Sequence, residues 1–336
     1  MAVALTDAVA AKDKAAYDGL FVGQVNAGSR DWTWQNLINL VGTVEFGAAD
    51  DNTMVASWHL PGQTVVTANH VGRVSCDLAG GGCGLDDIGP QQNWPAPLWA
   101  VQPMSSQTDG QATVLAWPGA DDAVDWLAAA QNGLVAVEQA DLGPLASHWD
   151  GALLVELPKD TGAFLHLLGQ TTMAGYSTTG AVSLGHGIGQ SGVGSVQVVV
   201  NPSMIATLAP ADRQLLITHE TVHVATTGWV IAPGFTWVSE GLAENVAVAA
   251  DAAAADNEAV LAKAACQTSG ITPPTDDVFA GSDATAQTQA YAVAQVLVGL
   301  VRQHLGAAAP AALLKLGQDG DSSGIDLATW STQWCS

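Results

Sequence analysis

The chain has 336 residues, enough for two domains that each bury a core, and 48% of them are hydrophobic, which is typical of a folded protein. Nine Lys and Arg against 32 Asp and Glu give a formal net charge of −23, which repels nucleic-acid phosphates and anionic lipid surfaces. We therefore expect no nucleic-acid binding. We also expect no membrane span, because no apolar run reaches ~18 residues.

The first hundred residues predict an α+β module in which helices precede an antiparallel sheet. Residues 4–20 are rich in alanine with helical spacing, and a second helix is predicted near 31–41. Four alternating segments separated by Gly, Asp and Asn predict strands at 43–46, 54–60, 64–68 and 71–76. This architecture resembles nuclear-transport-factor-2-like and cystatin-like modules, so residues 1–103 are predicted to form an accessory domain of that kind.

Prolines and a Ser-Ser-Gln-Thr-Asp-Gly run predict a linker near 100–110. Beyond it, strands and helices alternate. The predicted strands are 112–116, 153–157 and 195–200, and the predicted helices are 121–139, 162–168 and 211–227. The chain from residue 243 onward is predicted to be mostly helical.

The four cysteines permit three pairings. Cys76 and Cys83 flank a glycine-rich turn that could close a small loop, which leaves Cys266 to pair with Cys335. Such pairing favours disulfides and an extracytoplasmic compartment, whereas four buried thiols are the alternative. No basic region followed by an apolar core is visible at the N-terminus, and the chain begins inside a helical pattern. Together with the cysteine pairing, this leads us to expect an extracytoplasmic protein whose signal or anchor segment has been removed.

Residues 219–223 read His-Glu-Thr-Val-His inside a predicted helix. Side chains four residues apart lie on one helix face, about 6 Å apart at Cβ, so His219 and His223 can bind the same metal ion. Glu220 would project beside that ion, where it can accept a proton from a water molecule. This spacing predicts a hydrolytic metal site, and a helix with two solvated or core histidines is the alternative.

A second segment, Trp237-Val-Ser-Glu-Gly-Leu-Ala-Glu244, supplies two carboxylates one turn apart. Catalytic zinc keeps three protein ligands and one open position, and Glu240, on a helix predicted to begin near Thr236, is the expected third ligand. Glu244 would hydrogen-bond the far nitrogen of His219 and hold its tautomer. A solvated acidic pair is the alternative, although like charges at this spacing repel mildly.

Together these two motifs resemble the gluzincin metallopeptidases, in the "peptidase MA" form that is akin to the aminopeptidase-N family and frequent in secreted actinobacterial proteins. The resemblance implies that His219, His223 and Glu240 bind Zn²⁺. It also implies that Glu220 is the general base and that Glu244 supports the first histidine.

The resemblance further implies a zincin-like, thermolysin-like domain over 104–336. Its mixed sheet and metal-binding helix would occupy 104–235, and a helical part would occupy 236–336. Peptide substrates of such folds usually add as a strand to a sheet edge, for which 195–200 is the candidate.

The family also uses a tyrosine or histidine of the helical part to stabilise the oxyanion. Tyr291 resembles that residue in order and context, simple packing is its alternative role, and His304 is the reserve candidate. The amine-holding Gly-x-Met-Glu-Asn-like segment of the aminopeptidases has no counterpart before residue 195. The resemblance therefore implies an endopeptidase or oligopeptidase acting on peptides or proteins.

The remaining histidines lack ligand spacing and are predicted to be structural or solvated: His59, His70, His148, His166 and His186. His186 lies in a glycine-rich loop and is a minor candidate for lining the cleft. The alternative function is a non-catalytic extracytoplasmic binding protein that keeps a metal site for structure. Glu220 favours the peptidase, because a structural zinc site needs no general base. Nothing in the sequence indicates an oligomeric state.

Overall fold

The computed structural model describes residues 1–22, 27–48, 52–60, 67–77, 82–91, 93–120, 122–185, 196–205, 208–267 and 270–336. The strands in these residues are β1 (Thr43–Ala48), β2 (Thr53–His59), β3 (Thr67–Asp77), β4 (Gly82–Ile88), β5 (Ser105–Asp109), β6 (Ala112–Ala116), β7 (Leu153–Leu157), β8 (Ala181–Gly185) and β9 (Val196–Val200).

The α-helices in the same residues are α1 (Ala2–Ala10), α2 (Lys14–Asp18), α3 (Ala27–Asn39), α4 (Leu98–Val101), α5 (Ala123–Gln139), α6 (Thr161–Leu168), α7 (Pro202–Ile205), α8 (Pro210–Ala225), α9 (Thr236–Ala247), α10 (Ala252–Lys263), α11 (Asp276–Phe279), α12 (Ala284–Leu305), α13 (Ala309–Asp319) and α14 (Leu327–Cys335). The chain is therefore α+β with two sheets, as predicted.

The chain divides into two compact units. The first comprises Met1–Leu127, Ala152–Met173 and Val182–Thr207, and the second comprises Ala128–Gly151, Ala174–Ala181 and Leu208–Ser336. Nearly all of the strand residues belong to the first unit, whereas α8 to α14 belong to the second. The domain boundary at 103/104 stays a prediction.

The N-terminal helical region differs from its prediction, because α1 and α2 replace a single helix. Lys12 has a φ of 53°, a left-handed conformation that ends α1. Asp13 then caps α2 by accepting the N–H of Ala16 at 3.0 Å. An aspartate whose side chain bonds its own downstream backbone favours a new helix start over continuation of the old one.

The first sheet is antiparallel with the order β1-β2-β3-β4, as predicted. The prediction of two separate strands at 64–68 and 71–76 is wrong, because a single strand, β3, runs without interruption from Thr67 to Asp77. Residues 64–66 lie outside the described part of the chain. Strand β4 was not predicted, because its Gly-Cys-Gly-Leu-Asp-Asp-Ile composition has low β-propensity. Pairing with β3 and a disulfide between Cys76 and Cys83 hold β4 in the sheet.

The prediction of a linker near 100–110 is wrong. This segment contains the end of α4 and the strand β5, which pairs with β6. Trp99 and Gln102 are buried. The side-chain amide of Asn36 donates to the carbonyl oxygens of Trp99 at 2.9 Å and of Gln102 at 2.7 Å. Oε1 of Glu156, on β7, accepts the N–H of Leu98 at 3.0 Å. Buried backbone groups on both sides of α4 are thus hydrogen-bonded to other elements of the first unit.

The second sheet is mixed, with the order β5-β6-β7-β9-β8. β5 pairs antiparallel with β6, while β6, β7 and β9 run parallel and are almost entirely apolar and buried. The strand predicted at 195–200 is β9, and the prediction that it forms an edge of the sheet is wrong, because it lies between β7 and β8. A parallel strand with neighbours on both sides has no free ladder for a peptide.

The second unit has a helical core in which α9 and α12 pack closely. Gly241 permits this approach, because a Cβ at that position would lie 2.3 Å from the carbonyl oxygen of Ala294. The run Ala284–Asp319 is long and apolar enough to cross a membrane by length and composition alone. In the structure α12 buries Leu297, Val298 and Val301 within the helical core.

Candidate metal centre

Helix α8 carries the two motif histidines, and its first turn is closed by local contacts. It begins at Pro210, whose missing N–H leaves no donor unpaired at the first helical position. Asp212 accepts the N–H of Ala209 at 3.3 Å and closes the first turn. Ile217, Thr221 and Val224, which share one face of α8, are buried. The histidines at 219 and 223 therefore lie together on a less buried face.

Helix α9 begins at Thr236, as predicted. Phe235 at the N-cap offers no side-chain acceptor, and the carboxylate of Asp276 takes its place. Its two oxygens accept the N–H of Gly234 at 2.6 Å and of Thr236 at 3.1 Å. Glu240 follows one turn later on the same helix.

The donor atoms of His219, His223 and Glu240 form a small triangle. The two Nε2 atoms are 3.0 Å apart, and Oε2 of Glu240 lies 3.3 Å from each of them. The three side chains are 12%, 20% and 18% exposed, so a ligand can still reach them. Among the described residues, this is the group of histidine and carboxylate side chains that could hold a metal ion.

The outer nitrogens of both histidines also face polar side chains. Oε1 of Glu244 lies 3.3 Å from Nδ1 of His219, and Oγ of Ser239 lies 3.4 Å from Nδ1 of His223. The sequence predicts a hydrogen bond between Glu244 and Nδ1 of His219, whereas the structure shows an ion-pair distance between them. The contact of Ser239 was not predicted. The signal for Ser239 was its position directly before Glu240, on the side of α9 that faces α8.

Charges at the site favour a cation. Burial by itself lowers the pKa of His219, but the carboxylates of Glu244 and Glu240 outweigh it and raise the pKa well above the usual value. Burial by itself raises the pKa of Glu240, but the imidazoles of His223 and His219 lower it overall. Surroundings that stabilise a proton on His219 also stabilise a divalent cation between the same groups.

Glu258 on α10 is a further carboxyl group that interacts electrostatically with Glu244 and His219. Burial, and then the charge of Glu244, raise its pKa to about 7. It lies 14 residues beyond Glu244 in sequence and belongs to no recognisable motif, so only the folded arrangement reveals it.

Tyr291 lies next to the triangle, with its ring centroid 5.9 Å from that of His219. Burial raises the pKa of its hydroxyl, and the carboxylates of Glu240, Glu220 and Glu244 raise it further, so the hydroxyl keeps its proton at neutral pH. Glu220 itself is buried on α8, only 7% exposed. The structure thus brings both predicted catalytic residues into the surroundings of the donor triangle.

His304, the reserve candidate, does not share this location. It lies 13 residues after Tyr291 on α12, roughly 20 Å along the helix axis, and stacks on Trp330 at a centroid distance of 4.4 Å. Other predicted structural histidines also have partners: Nδ1 of His70 is 2.8 Å from Oγ1 of Thr53. His186 lies outside the described residues.

The donor triangle fits a small divalent metal ion. Zinc binds histidine nitrogen and carboxylate oxygen at about 2.0–2.2 Å, and donors at the corners of such a tetrahedron are about 3.3 Å apart. The observed separations of 3.0, 3.3 and 3.3 Å match this spacing. Two imidazoles and one carboxylate also form the donor set of catalytic zinc sites, which leave one position open.

No protein-family model matches the chain, and a search of curated proteins finds no significant match.

Proposed function

We propose that the protein is a zinc-dependent peptidase of the gluzincin type. The observation that carries the proposal is the donor triangle of His219, His223 and Glu240, which two helices bring to the separations expected of three ligands on one ion. A structural zinc site has four protein ligands, whereas the described part of the chain brings three together here. Three ligands suit a site that also accepts water and substrate.

The proposed mechanism gives each residue one task. His219, His223 and Glu240 would hold the zinc ion, which when bound polarises a carbonyl group and lowers the pKa of a water molecule. Glu220 would accept the proton of the attacking water and deliver it to the leaving amine. Tyr291 would donate a hydrogen bond to the oxyanion of the tetrahedral intermediate, because its hydroxyl remains protonated.

We also propose a domain type for each part of the chain. The helices and four-stranded sheet of residues 1–103 would form the nuclear-transport-factor-2-like or cystatin-like accessory domain, and 104–336 the zincin-like domain. Substrates would be peptides or proteins, cleaved internally or as oligopeptides.

We also propose an extracytoplasmic location. The cysteines form two disulfides, Cys76–Cys83 and Cys266–Cys335, as predicted, and none is free. Disulfides persist mainly in oxidising compartments.

The decisive experiment compares the parent with Glu220→Gln and with a control, Glu138→Gln, at an exposed glutamate of α5. Metal content by mass spectrometry should be about one zinc per chain in all three. Digestion of a peptide library should be about 10²–10⁴-fold slower for Glu220→Gln only. Cleavage by Glu220→Gln at the parental rate would refute the role of this residue.

The alternative function, a binding protein with a structural metal site, predicts a different pattern. Zinc would raise the melting temperature, but the parent would cleave nothing in the library. A chelator that leaves the melting temperature of the zinc-loaded protein unchanged would refute both functions, because a ligand selective for the folded state must stabilise it.

A further inference from the structure

We propose that the short helix α11 positions two parts of the metal centre at once: Asp276 sets the start of the helix that carries Glu240, and Phe279 holds the ring of Tyr291 beside His219. The inference rests on the proposed function, since it assigns roles within that site. It concerns a segment that no motif identifies, 36 residues beyond Glu240 in sequence.

The first contact is a helix cap supplied from a distance. The first N–H groups of a helix have no partner within it, and Phe235 cannot accept them. Asp276 accepts the N–H of Thr236, the first residue of α9, and also the N–H of Gly234, which precedes the helix. These backbone hydrogen bonds lower the pKa of Asp276, so the carboxylate stays charged at the positive end of α9. Loss of this cap would let the first turn of α9 fray, immediately before Glu240.

The second contact is aromatic. The ring of Phe279 meets that of Tyr291 edge to face, with centroids 5.2 Å apart and planes at 74°. Tyr291 in turn meets His219 at 5.9 Å and 74°. Edge-to-face pairs of this kind restrict the orientation of each ring. Phe279 therefore limits the positions that the Tyr291 hydroxyl can take.

The third contact fastens α11 to the helix that carries Tyr291. Nε2 of Gln287 donates to the carbonyl oxygens of Phe279 and Gly281, both at 2.9 Å. Gln287 lies four residues before Tyr291 on α12, so both are on the same helix face. A displacement of α11 would therefore move Tyr291 and Glu240 together.

The first test uses Asp276→Ala with Asp326→Ala as the matched control. Asp326 caps α14 by accepting the N–H of Thr329 at 3.1 Å, and α14 carries no residue of the metal centre. Zinc affinity is measured by chelator competition. Asp276→Ala should bind zinc about 3–10-fold more weakly than Asp326→Ala. Asp276→Asn should recover only part of the loss, because its amide has one acceptor oxygen for the two N–H groups that Asp276 binds. Equal zinc affinity in the two alanine variants would overturn the role of Asp276.

The second test follows Tyr291 directly. The chain has only three tyrosines, so tyrosine-labelled protein gives a simple NMR spectrum. Phe279→Ala should shift and broaden the Tyr291 ring signals and lower kcat about 3–10-fold with little change in KM, whereas Phe279→Tyr should retain both. In a Tyr291→Phe background, Phe279→Ala should lower kcat no further. Unchanged Tyr291 signals, or an equal additional loss in that background, would overturn the role of Phe279.

These readouts separate the two proposals. Zinc affinity and the Tyr291 spectrum need no substrate. A parent protein that binds zinc but cleaves no peptide would refute the peptidase function. The roles of Asp276 and Phe279 would still be tested by the zinc affinity and by the NMR signals of the Tyr291 ring.

Discussion

Oε1 of Glu244 lies 3.3 Å from Nδ1 of His219, while Nε2 of the same ring faces Glu240. A carboxylate on the far side of a metal-binding imidazole fixes its tautomer and increases its basicity. The relationship holds because Glu240 and Glu244 are one turn apart on α9, so the helix presents one carboxylate to each nitrogen of His219.

Replacement of Glu244 by Gln should therefore weaken zinc binding. We expect a loss of about 10–100-fold in affinity by chelator competition, with the fold retained by circular dichroism. Glu138→Gln serves as the control on an exposed helix face. Parental affinity in the Glu244 variant would show that the contact has no influence on the metal.

Gly241→Ala should separate α9 from α12. The new Cβ would lie 2.3 Å from the carbonyl oxygen of Ala294, so we expect a loss of about 1–3 kcal/mol in the free energy of unfolding. Gly299→Ala, on the facing helix, is the control, because its Cβ would meet only the side chain of Asn245, at 3.1 Å. Urea denaturation checks both, and equal stabilities would contradict the prediction.

Glu156 should make stability depend on pH. Burial raises its pKa to about 8, and a hydrogen bond from the N–H of Leu98 only partly offsets this. The folded protein therefore keeps a proton that the unfolded chain releases above its ordinary pKa of 4.5. The free energy of unfolding should fall as pH rises from about 4.5 to about 8, by up to about 1.4 kcal/mol per pH unit from this group, and level off above that.

Glu156→Gln isolates this effect, because its amide oxygen can still accept the N–H of Leu98. The difference in unfolding free energy between variant and parent should grow in favour of the variant from pH 5 to pH 8. Urea denaturation across this range measures it. Parallel pH profiles would mean that Glu156 titrates normally.

The two disulfides should contribute unequally to stability. Cys266 and Cys335 are 69 residues apart, whereas Cys76 and Cys83 are 7 apart. Loop-closure entropy predicts a loss of about 4 kcal/mol when the long loop is opened and about 2 kcal/mol when the short one is. Paired Cys→Ser variants compared by urea denaturation test this order, and the reverse order would contradict the entropic argument.

Local features of the sequence determined several elements correctly. The apolar runs at 112–116 and 153–157 coincide with β6 and β7, and α9 begins at the predicted Thr236. The i,i+4 spacing alone was enough to place His219 and His223 together, because a helix repeats its faces over that distance. Pairing of Cys76 with Cys83 also followed from a short, flexible turn.

Only the tertiary structure decided how distant segments meet. It placed β9 inside its sheet, brought Asp276 to the start of α9, and set Gly241 against Ala294. It also buried Glu156 where its pKa rises. Periodicity and capping act over a few neighbouring residues and can be read along the chain. Contacts between remote segments depend on which apolar faces pack together, and no local pattern encodes that choice.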